Sequence, residues 1–351
     1  MRLVLELGKR LDVGQWEERA RAGQVPGFWP YGLHHLRDEH DVVVNDTRAL
    51  LTSSWPSLRG YDVPRWYRRP RGWQGADAVV SWEELTSITF PLRRRGDVPA
   101  LCSGVIWSTD VWERRADRGL ETRLTKDLLR RMDLLWCLSE AQADELSRRL
   151  SPAPQVAPLA FGIDTDFYRA SPPEPTDRPL VVSAGGDRDR DIGVLLEAME
   201  LVRRRWPEAD VVVQTRRDVR PPDGIRIVRD LTHTALRELY RRSAVVVLAL
   251  KPNLHVSGMT VALEAMATGR PVVCSATPGM AEYVLDGVTG TLVAPGDAAA
   301  LASATVEVLE DPSGRTEMGR RAAEHVLRRH GQGQMVRQLA DLVSAAVRGR
   351  P

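Results

Sequence analysis

The residues best suited to chemistry lie between Ser257 and Asp297, where the chain reads SGMTVALEAMATGRPVVCSATPGMAEYVLDGVTGTLVAPGD. The pattern predicts a helix of small residues, a buried strand, a Gly-Pro turn carrying an acidic residue and then a Gly-punctuated hairpin. Ser257 and Gly258 leave the backbone uncluttered where the helix begins, and Met259 and Thr260 continue its first turn. N–H groups without partners at such a start form a positive end suited to a diphosphate. Glu264 follows about a turn and a half later. Helical side chains lean toward the N-terminus, so its carboxylate can reach a hydroxyl-bearing group held beside the diphosphate. A sugar nucleotide has that stereochemistry. The same Ala262, Ala265, Met266 and Ala267 would serve a helix packed on a parallel sheet, with Gly269 and Pro271 ending it. An acidic residue inside such an apolar run nevertheless needs a partner when buried.

A second group sits in GGDRDRD, residues 185–191, between the apolar run LVVSA and the segment IGVLLEAMELVRRR. In that segment Ile192, Leu195, Leu196, Met199 and Val202 fall at helical spacing. Strand, the pair Gly185 and Gly186, basic residues and helix together make a phosphate-facing loop. Asp187, Asp189 and Asp191 also spell D-x-D, a pattern able to hold a divalent metal. Arg188 and Arg190 alternate with them and compete for the carboxylates, so the expectation is no metal. Exposed arginines paired with neighbouring aspartates are the structural alternative.

These segments resemble the C-terminal half of retaining glycosyltransferases of the GT-B type, family 4, the glycosyl transferases group 1. The family pattern is E-G-F-G-x-x-x-L-E-A-M-A-x-G-x-P-V-V followed by G-x-x-E-x-V-x-D-G-x-x-G-x-L-V. Leu263, Glu264, Ala265, Met266, Ala267, Gly269, Pro271, Val272 and Val273 match it, as do Gly279, Glu282, Val284, Asp286, Gly287, Gly290, Leu292 and Val293. The first part departs, because the place of the leading Glu holds Val256, with Ser257 and Gly258 after it. In the family that first Glu contacts the donor sugar and the second binds the nucleotide ribose. The resemblance therefore implies ribose binding by Glu264 and leaves the sugar contact open, with His255 as the neighbouring substitute. It also implies that Arg190, at the position of the family's Lys, and Arg188 neutralise the leaving diphosphate beside Gly185 and Gly186. The turn opening RDLTHTALRELYRR, residues 229–242, is implied to meet the nucleotide base near Leu231, while His233 reads as a surface residue at the helix start.

Such residues need parallel α/β elements to position them, and the sequence alternates short apolar runs with amphipathic helical patterns. Strands are expected at 3–7, 41–45, 77–81, 100–106 and 134–139, then at 180–184, 210–214, 225–228, 244–250, 271–275 and 291–295. The Pro-rich segment SPPEPTDRP, 171–179, reads as a linker. A chain of 351 residues can bury two cores. The expected fold class is α/β, with two Rossmann-like domains facing a central cleft. Residues 1–170 form the acceptor domain, completed by a crossover helix within 334–351, and 171–333 the nucleotide-sugar donor domain.

Composition narrows the function classes. A net charge of +2 with 49 basic residues argues against a dedicated nucleic-acid binder. Only Lys9, Lys126 and Lys251 are lysines, which lowers the weight of any single Arg run. Cys102, Cys137 and Cys274 each lie in an apolar run and read as buried thiols of a reducing compartment. The start MRLVLELGKRLD lacks a signal pattern, and no run approaches the roughly 18 apolar residues of a membrane span. A cytoplasmic protein is expected.

The resemblance covers roughly the last two thirds of the chain and is faint before residue 100. The family's glycine loop after the first strand is reduced to Gly8 and Gly14, and WSTD, 107–110, replaces its His. Asp110 and Ser108 are candidates for that sugar-hydroxyl contact, although an N-cap role fits either. PYGLHHL, 30–36, reads as the start of the first helix, making His34 and His35 acceptor-site candidates. Nine of ten tryptophans precede residue 137: Trp16, Trp29, Trp55, Trp66, Trp73, Trp82, Trp107, Trp112 and Trp136. The segment YDVPRWYRRPRGW, 61–73, suits an anionic acceptor or a membrane surface, and equally a solvated loop.

The expected enzyme is a metal-independent, retaining hexosyltransferase without a cofactor. It takes a nucleotide diphosphate sugar, UDP in preference to GDP, and an acceptor hydroxyl of a specialised metabolite or glycolipid. Membrane-surface contact is allowed and not required. Arg190 and Arg188 are its catalytic cations, and Asp110 and His35 the candidate bases should the reaction invert. The alternatives are a sugar-nucleotide binding protein without transfer activity, suggested by Val256, and a GT-B-type epimerase.

Overall fold

The computed structural model describes residues 1–8, 12–45, 50–52, 62–64, 72–93, 98–115, 119–172 and 178–350. The core of the linker, 173–177, and most of the basic aromatic segment, with Trp55 and Trp66, lie outside the described residues. The chain forms two compact units. The first holds Met1–Glu18, Phe28–Ala160 and the residues from Met335 onward, and the second Arg19–Gly27 and Phe161–Gln334.

In the first unit the strands are β1 (Arg2–Glu6), β2 (Asp41–Val44), β3 (Leu50–Thr52), β4 (Asp62–Pro64), β5 (Ala78–Ser81), β6 (Ala100–Gly104), β7 (Leu134–Cys137) and β8 (Gln155–Pro158). A six-stranded sheet runs β2-β1-β5-β6-β7-β8, all parallel, and β3 pairs antiparallel with β4. Helices α1 (Val13–Arg21), α2 (Glu84–Ser87), α3 (Ser108–Arg114), α4 (Leu120–Leu129) and α5 (Glu140–Arg149) accompany them. Every residue of β5, β6 and β7 is buried, as expected of parallel strands covered on both faces. Trp112, Leu128, Leu135 and Leu146 help fill the core. PYGLHHL does not open an α-helix. Residues Pro30–Asp38 form 3-10 turns interrupted at Tyr31 and Gly32, whose φ values of 60° and 69° are left-handed.

The second unit has β9 (Leu180–Ala184), β10 (Asp210–Gln214), β11 (Ile225–Val228), β12 (Val245–Leu248), β13 (Val272–Ser275) and β14 (Gly290–Val293) in the parallel order β11-β10-β9-β12-β13-β14. Its helices are α6 (Ile192–Arg205), α7 (His233–Arg242), α8 (Met259–Ala267), α9 (Ala298–Glu310) and α10 (Pro312–Arg329), and α11 (Gln332–Arg348) follows. Leu195, Met199 and Val202 of α6 and Leu301 and Leu309 of α9 pack on Val211, Val213, Val245 and Val273. Strand order reverses between β9 and β12, and open α/β sheets bind ligands beyond the carboxyl ends of strands at such a switch point.

The segment after β13 is not a hairpin. β14 lies parallel to β13, with Val273 opposite Thr291. The connection from Ser275 to Gly290 is long enough for a crossover and contains the 3-10 turn Met280–Glu282. Phe161–Ala170 belongs with the second unit because Ile163 N donates to the His330 carbonyl and Phe161 N to the Tyr283 hydroxyl.

Candidate functional site

At the switch point Gly185, at φ +120°, follows β9, and the loop 185–191 leads into α6. A Cβ on Gly185 would lie 2.5 Å from Arg190 Nη2, and one on Gly258 would lie 2.7 Å from Arg190 Nη1. The guanidinium therefore rests between two glycines, one after β9 and one capping α8. Its Nε and Nη1 are closed to solvent and make no hydrogen bond among the described residues. Burial lowers the Arg190 pKa, and Asp187 is the largest of the negative influences that oppose the shift. Buried donors of a cation almost always have an acceptor, and an anion would complete this pair.

The start of α8 points the same way. Gly258 is its N-cap, left-handed at φ 91°, and supplies no side-chain acceptor. Val256 also has positive φ, at 52°, which a β-branched residue adopts only under constraint. Asn253 Oδ1 accepts from Ser257 N at 2.9 Å, while the buried Ser257 Oγ has no partner among the described residues. Met259 is buried and Thr260 exposed.

Glu264 is buried, and both oxygens are engaged. Oε1 accepts from the Tyr168 hydroxyl at 2.8 Å and Oε2 from the Tyr240 hydroxyl at 3.2 Å. Burial pushes its carboxyl up to about 7, against the pull of the two hydroxyls and Arg190. Both tyrosines are in turn pushed up, by burial first and then by Glu264. His233 is half-buried rather than a surface residue, because its Nδ1 lies 3.4 Å from the Tyr168 hydroxyl. Burial and Arg19 lower its pKa. Leu231 is half-buried just before α7. Sequence reasoning missed Tyr168 and Tyr240. The available signal was a Glu in an apolar helix, which requires donors, and tyrosines in FGIDTDFY and RELYRR that can supply them.

The cations of the loop separate clearly. Arg188 is exposed, with Nε 3.3 Å from Asp189 Oδ2, which is the expected structural alternative, whereas Arg190 is half-buried with its Nε and Nη1 closed to solvent. Gly185 N donates to Gln214 Oε1 at 3.0 Å, and Gly186 is exposed. His255 is buried, with Nε2 3.0 Å from Asp187 Oδ2 and Nδ1 3.8 Å from Asp189 Oδ2. It is thus engaged by the loop. Burial disfavours the Asp187 carboxylate, but the His255 hydrogen bond, the Asp189 N–H and the Arg190 charge outweigh it and hold the group well below the usual carboxylate range. Asp187, Asp189 and His255 offer ligand atoms within 4.8 Å of one another, a spacing that could hold a metal ion. Arg188 pairs with Asp189, and the charge of Arg190 acts on Asp187 without a hydrogen bond, both of which disfavour a further dication.

In the first unit Glu84, the first residue of α2, is fully buried, with its carboxylate at the start of α3. Its carboxylate accepts from the N–H groups of Ile106, Trp107 and Ser108 and from Ser108 Oγ. Asp110 is buried in the first turn of that helix. His35 Nδ1 lies 3.2 Å from Asp38 Oδ2, and its ring lies against His34. Trp29, Trp73, Trp82, Trp112 and Trp136 are core residues, leaving Trp16 and Trp107 half-buried. The three cysteines are buried and unpaired.

Residues 178–311, which carry Arg190, His255, Gly258 and Glu264, match the glycosyl transferases group 1. Over those residues the chain is similar to that family, and its two parallel six-stranded sheets with flanking helices are the two Rossmann-like domains of the GT-B fold. In particular, it is similar in structure to sucrose-phosphate synthase from Thermosynechococcus elongatus, with a TM-score of 0.73 at 19% identity over 100% of both chains. It is similar also to Anabaena HepE in complex with UDP-glucose, with a TM-score of 0.64 at 16% identity over 98% of this chain and 99% of that one. In sequence it is 29% identical over 236 residues to glycogen synthase of Mycobacterium tuberculosis, covering 63% of this chain and 56% of that enzyme. The chain thus spans about half the length of the curated relatives it matches. Among the described residues no helix is long and apolar enough to cross a membrane.

Proposed function

We propose that the protein is a metal-independent, retaining family 4 glycosyltransferase that moves a hexose-type sugar from a nucleotide diphosphate donor to an acceptor hydroxyl. The observation that carries this reading is the enclosed Arg190 guanidinium, with Nε and Nη1 unsatisfied, beside the glycine-capped start of α8. The diphosphate is held by Arg190, by Ser257 Oγ and by the first N–H groups of α8. The ribose hydroxyls reach Glu264, whose oxygens retain acceptor capacity beside the tyrosine bonds. The bond between the anomeric carbon and the diphosphate breaks, and the acceptor oxygen bonds to the same face. Its proton passes to the departing diphosphate, whose growing charge Arg190 stabilises. The UDP-glucose seen with HepE favours UDP over GDP. A specialised metabolite or glycolipid is the acceptor class. The three buried, unpaired cysteines favour a cytoplasmic setting.

A second reading follows from Val256, which puts a buried apolar side chain where the resemblance places a sugar-contacting Glu. It gives a binding protein without transfer, or an epimerase. The test is incubation with UDP-, GDP-, dTDP- and ADP-sugars while free nucleoside diphosphate and the product's anomeric configuration are followed. Release of diphosphate with a retained product is expected. Binding without release from any donor would leave only the binding protein, and release of one donor's diphosphate with inversion at a ring carbon would indicate the epimerase.

A further inference from the structure

The loop 185–191 is tied to its surroundings at nearly every residue. Gly185 N is held by Gln214, the Asp187 and Arg188 carbonyls accept from Arg217 Nη2 at 3.0 and 2.8 Å, and Asp191 N donates to the Ala249 carbonyl at 2.9 Å. Lys251 N donates to the Asp189 carbonyl at 2.9 Å, and Arg190 bridges Leu250 through its backbone. All this fixes the main chain and leaves the Arg190 side chain unsatisfied at Nε and Nη1. Asp187 is the carboxylate with the largest favourable influence on that guanidinium, and it is three residues away on the same short loop. A carboxylate so placed would ordinarily close on a buried arginine, since an unpaired buried cation is costly and a bidentate pair strong. It does not do so, because its Oδ2 is held at 3.0 Å by His255 Nε2, which reaches over from the loop after β12. Its Oδ1 is held at 2.8 Å by Asp189 N.

We propose that His255 is a positioning residue that holds Asp187 off Arg190, so that the guanidinium stays open to an anion. The imidazole competes with Arg190 for one carboxylate, and by winning it keeps the cation available. Without His255, Asp187 turns to Nε and Nη1 and neutralises the site from within. The inference deepens the proposed function and rests on Arg190 being the diphosphate contact. It differs from a direct contact between His255 and ligand, because a second substitution that removes the carboxylate charge should restore what loss of the imidazole destroys.

The test is calorimetric titration of inorganic pyrophosphate and of UDP into the full chain and into His255→Ala, Asp187→Asn and the double variant, with melting temperatures recorded. His255→Ala should weaken pyrophosphate about tenfold, the weight of a charge-assisted hydrogen bond, and the double variant should return to within about threefold of wild type. His255→Leu, which keeps volume, is measured in the same way if the alanine protein does not fold. His255→Gln, whose amide can still donate to Asp187, should stay within about threefold of wild type. A double variant as weak as His255→Ala overturns the proposal, as does a His255→Ala protein that binds like wild type. Weaker wild-type binding in EDTA, restored by manganese, would make the Asp187, Asp189 and His255 cluster a metal site and overturn it too. UDP binding no tighter than pyrophosphate would sink the nucleotide reading alone, with the pyrophosphate series still deciding the role of His255. Absence of pyrophosphate binding by wild type overturns both.

Discussion

Glu264→Gln should abolish the pH dependence that this one carboxyl imposes on the protein. Burial raises its pKa from 4.5 to about 7, so the folded chain binds a proton that the unfolded chain has already released. Stability from this group is therefore fully present below 4.5 and is lost as pH rises through about 7, opposite to the behaviour of a salt-bridged carboxylate. A shift of this size amounts to about 3 kcal/mol in total, of which roughly 2.5 kcal/mol falls between about pH 5 and about pH 8. Urea denaturation at those two values should show wild type losing that much relative to the glutamine variant, which keeps the tyrosine hydrogen bonds and cannot titrate. Donor binding should run the other way. Only the ionised carboxylate accepts ribose hydroxyls while both tyrosines donate to it, so wild-type affinity for UDP-glucose should rise about tenfold from about pH 6 to about pH 8 and stay flat in Glu264→Gln. Parallel stability curves for the two proteins would refute the buried, half-protonated carboxyl, and parallel affinity curves would refute its contact with ribose.

Arg190→Ala should lower turnover by about a hundredfold or more with a smaller loss of donor affinity, because charge on the diphosphate grows toward the transition state. An effect confined to nucleoside binding would make the arginine merely structural. Gly258→Ala should cost about 1–2 kcal/mol for a left-handed Cβ and, by meeting Arg190 Nη1, also weaken UDP binding, whereas normal affinity in the destabilised protein would break the link between that glycine and the guanidinium. Excess EDTA should leave initial rates unchanged and the product should keep the donor's anomeric configuration by proton coupling. Activity lost in EDTA and regained with manganese would refute the cationic neutralisation of the diphosphate.

The fold was legible where burial is two-sided. LVVSA and DVVVQ coincide with β9 and β10, because a strand covered on both faces is apolar along most of its length and shows this locally, whereas IRIV coincides with the edge strand β11 through its alternating Ile225 and Ile227. β8, the edge strand QVAP, was not legible, since none of its residues is fully buried and its apolar pattern weakens. The direction of β14 was also hidden, because a glycine-rich turn reads alike whether the chain doubles back or crosses over. At the site, residue types pointed to a helix start with open N–H groups and a carboxylate a turn and a half beyond it. Residue type did not distinguish Arg188 from Arg190, whose neighbours in sequence are alike, and only the position of the family's Lys singled out Arg190. The tertiary structure separates them by placing one in solvent against Asp189 and the other between Gly185 and Gly258. Glu264 takes its partners from residues 96 and 24 positions away, and His255 takes Asp187 from 68 away. The sequence by itself thus determined which chemical groups are present and on which elements they ride. Which of them are charged, satisfied or left open was decided by the fold, because hydrogen bonding and desolvation act over a few ångströms between neighbours that only folding brings together.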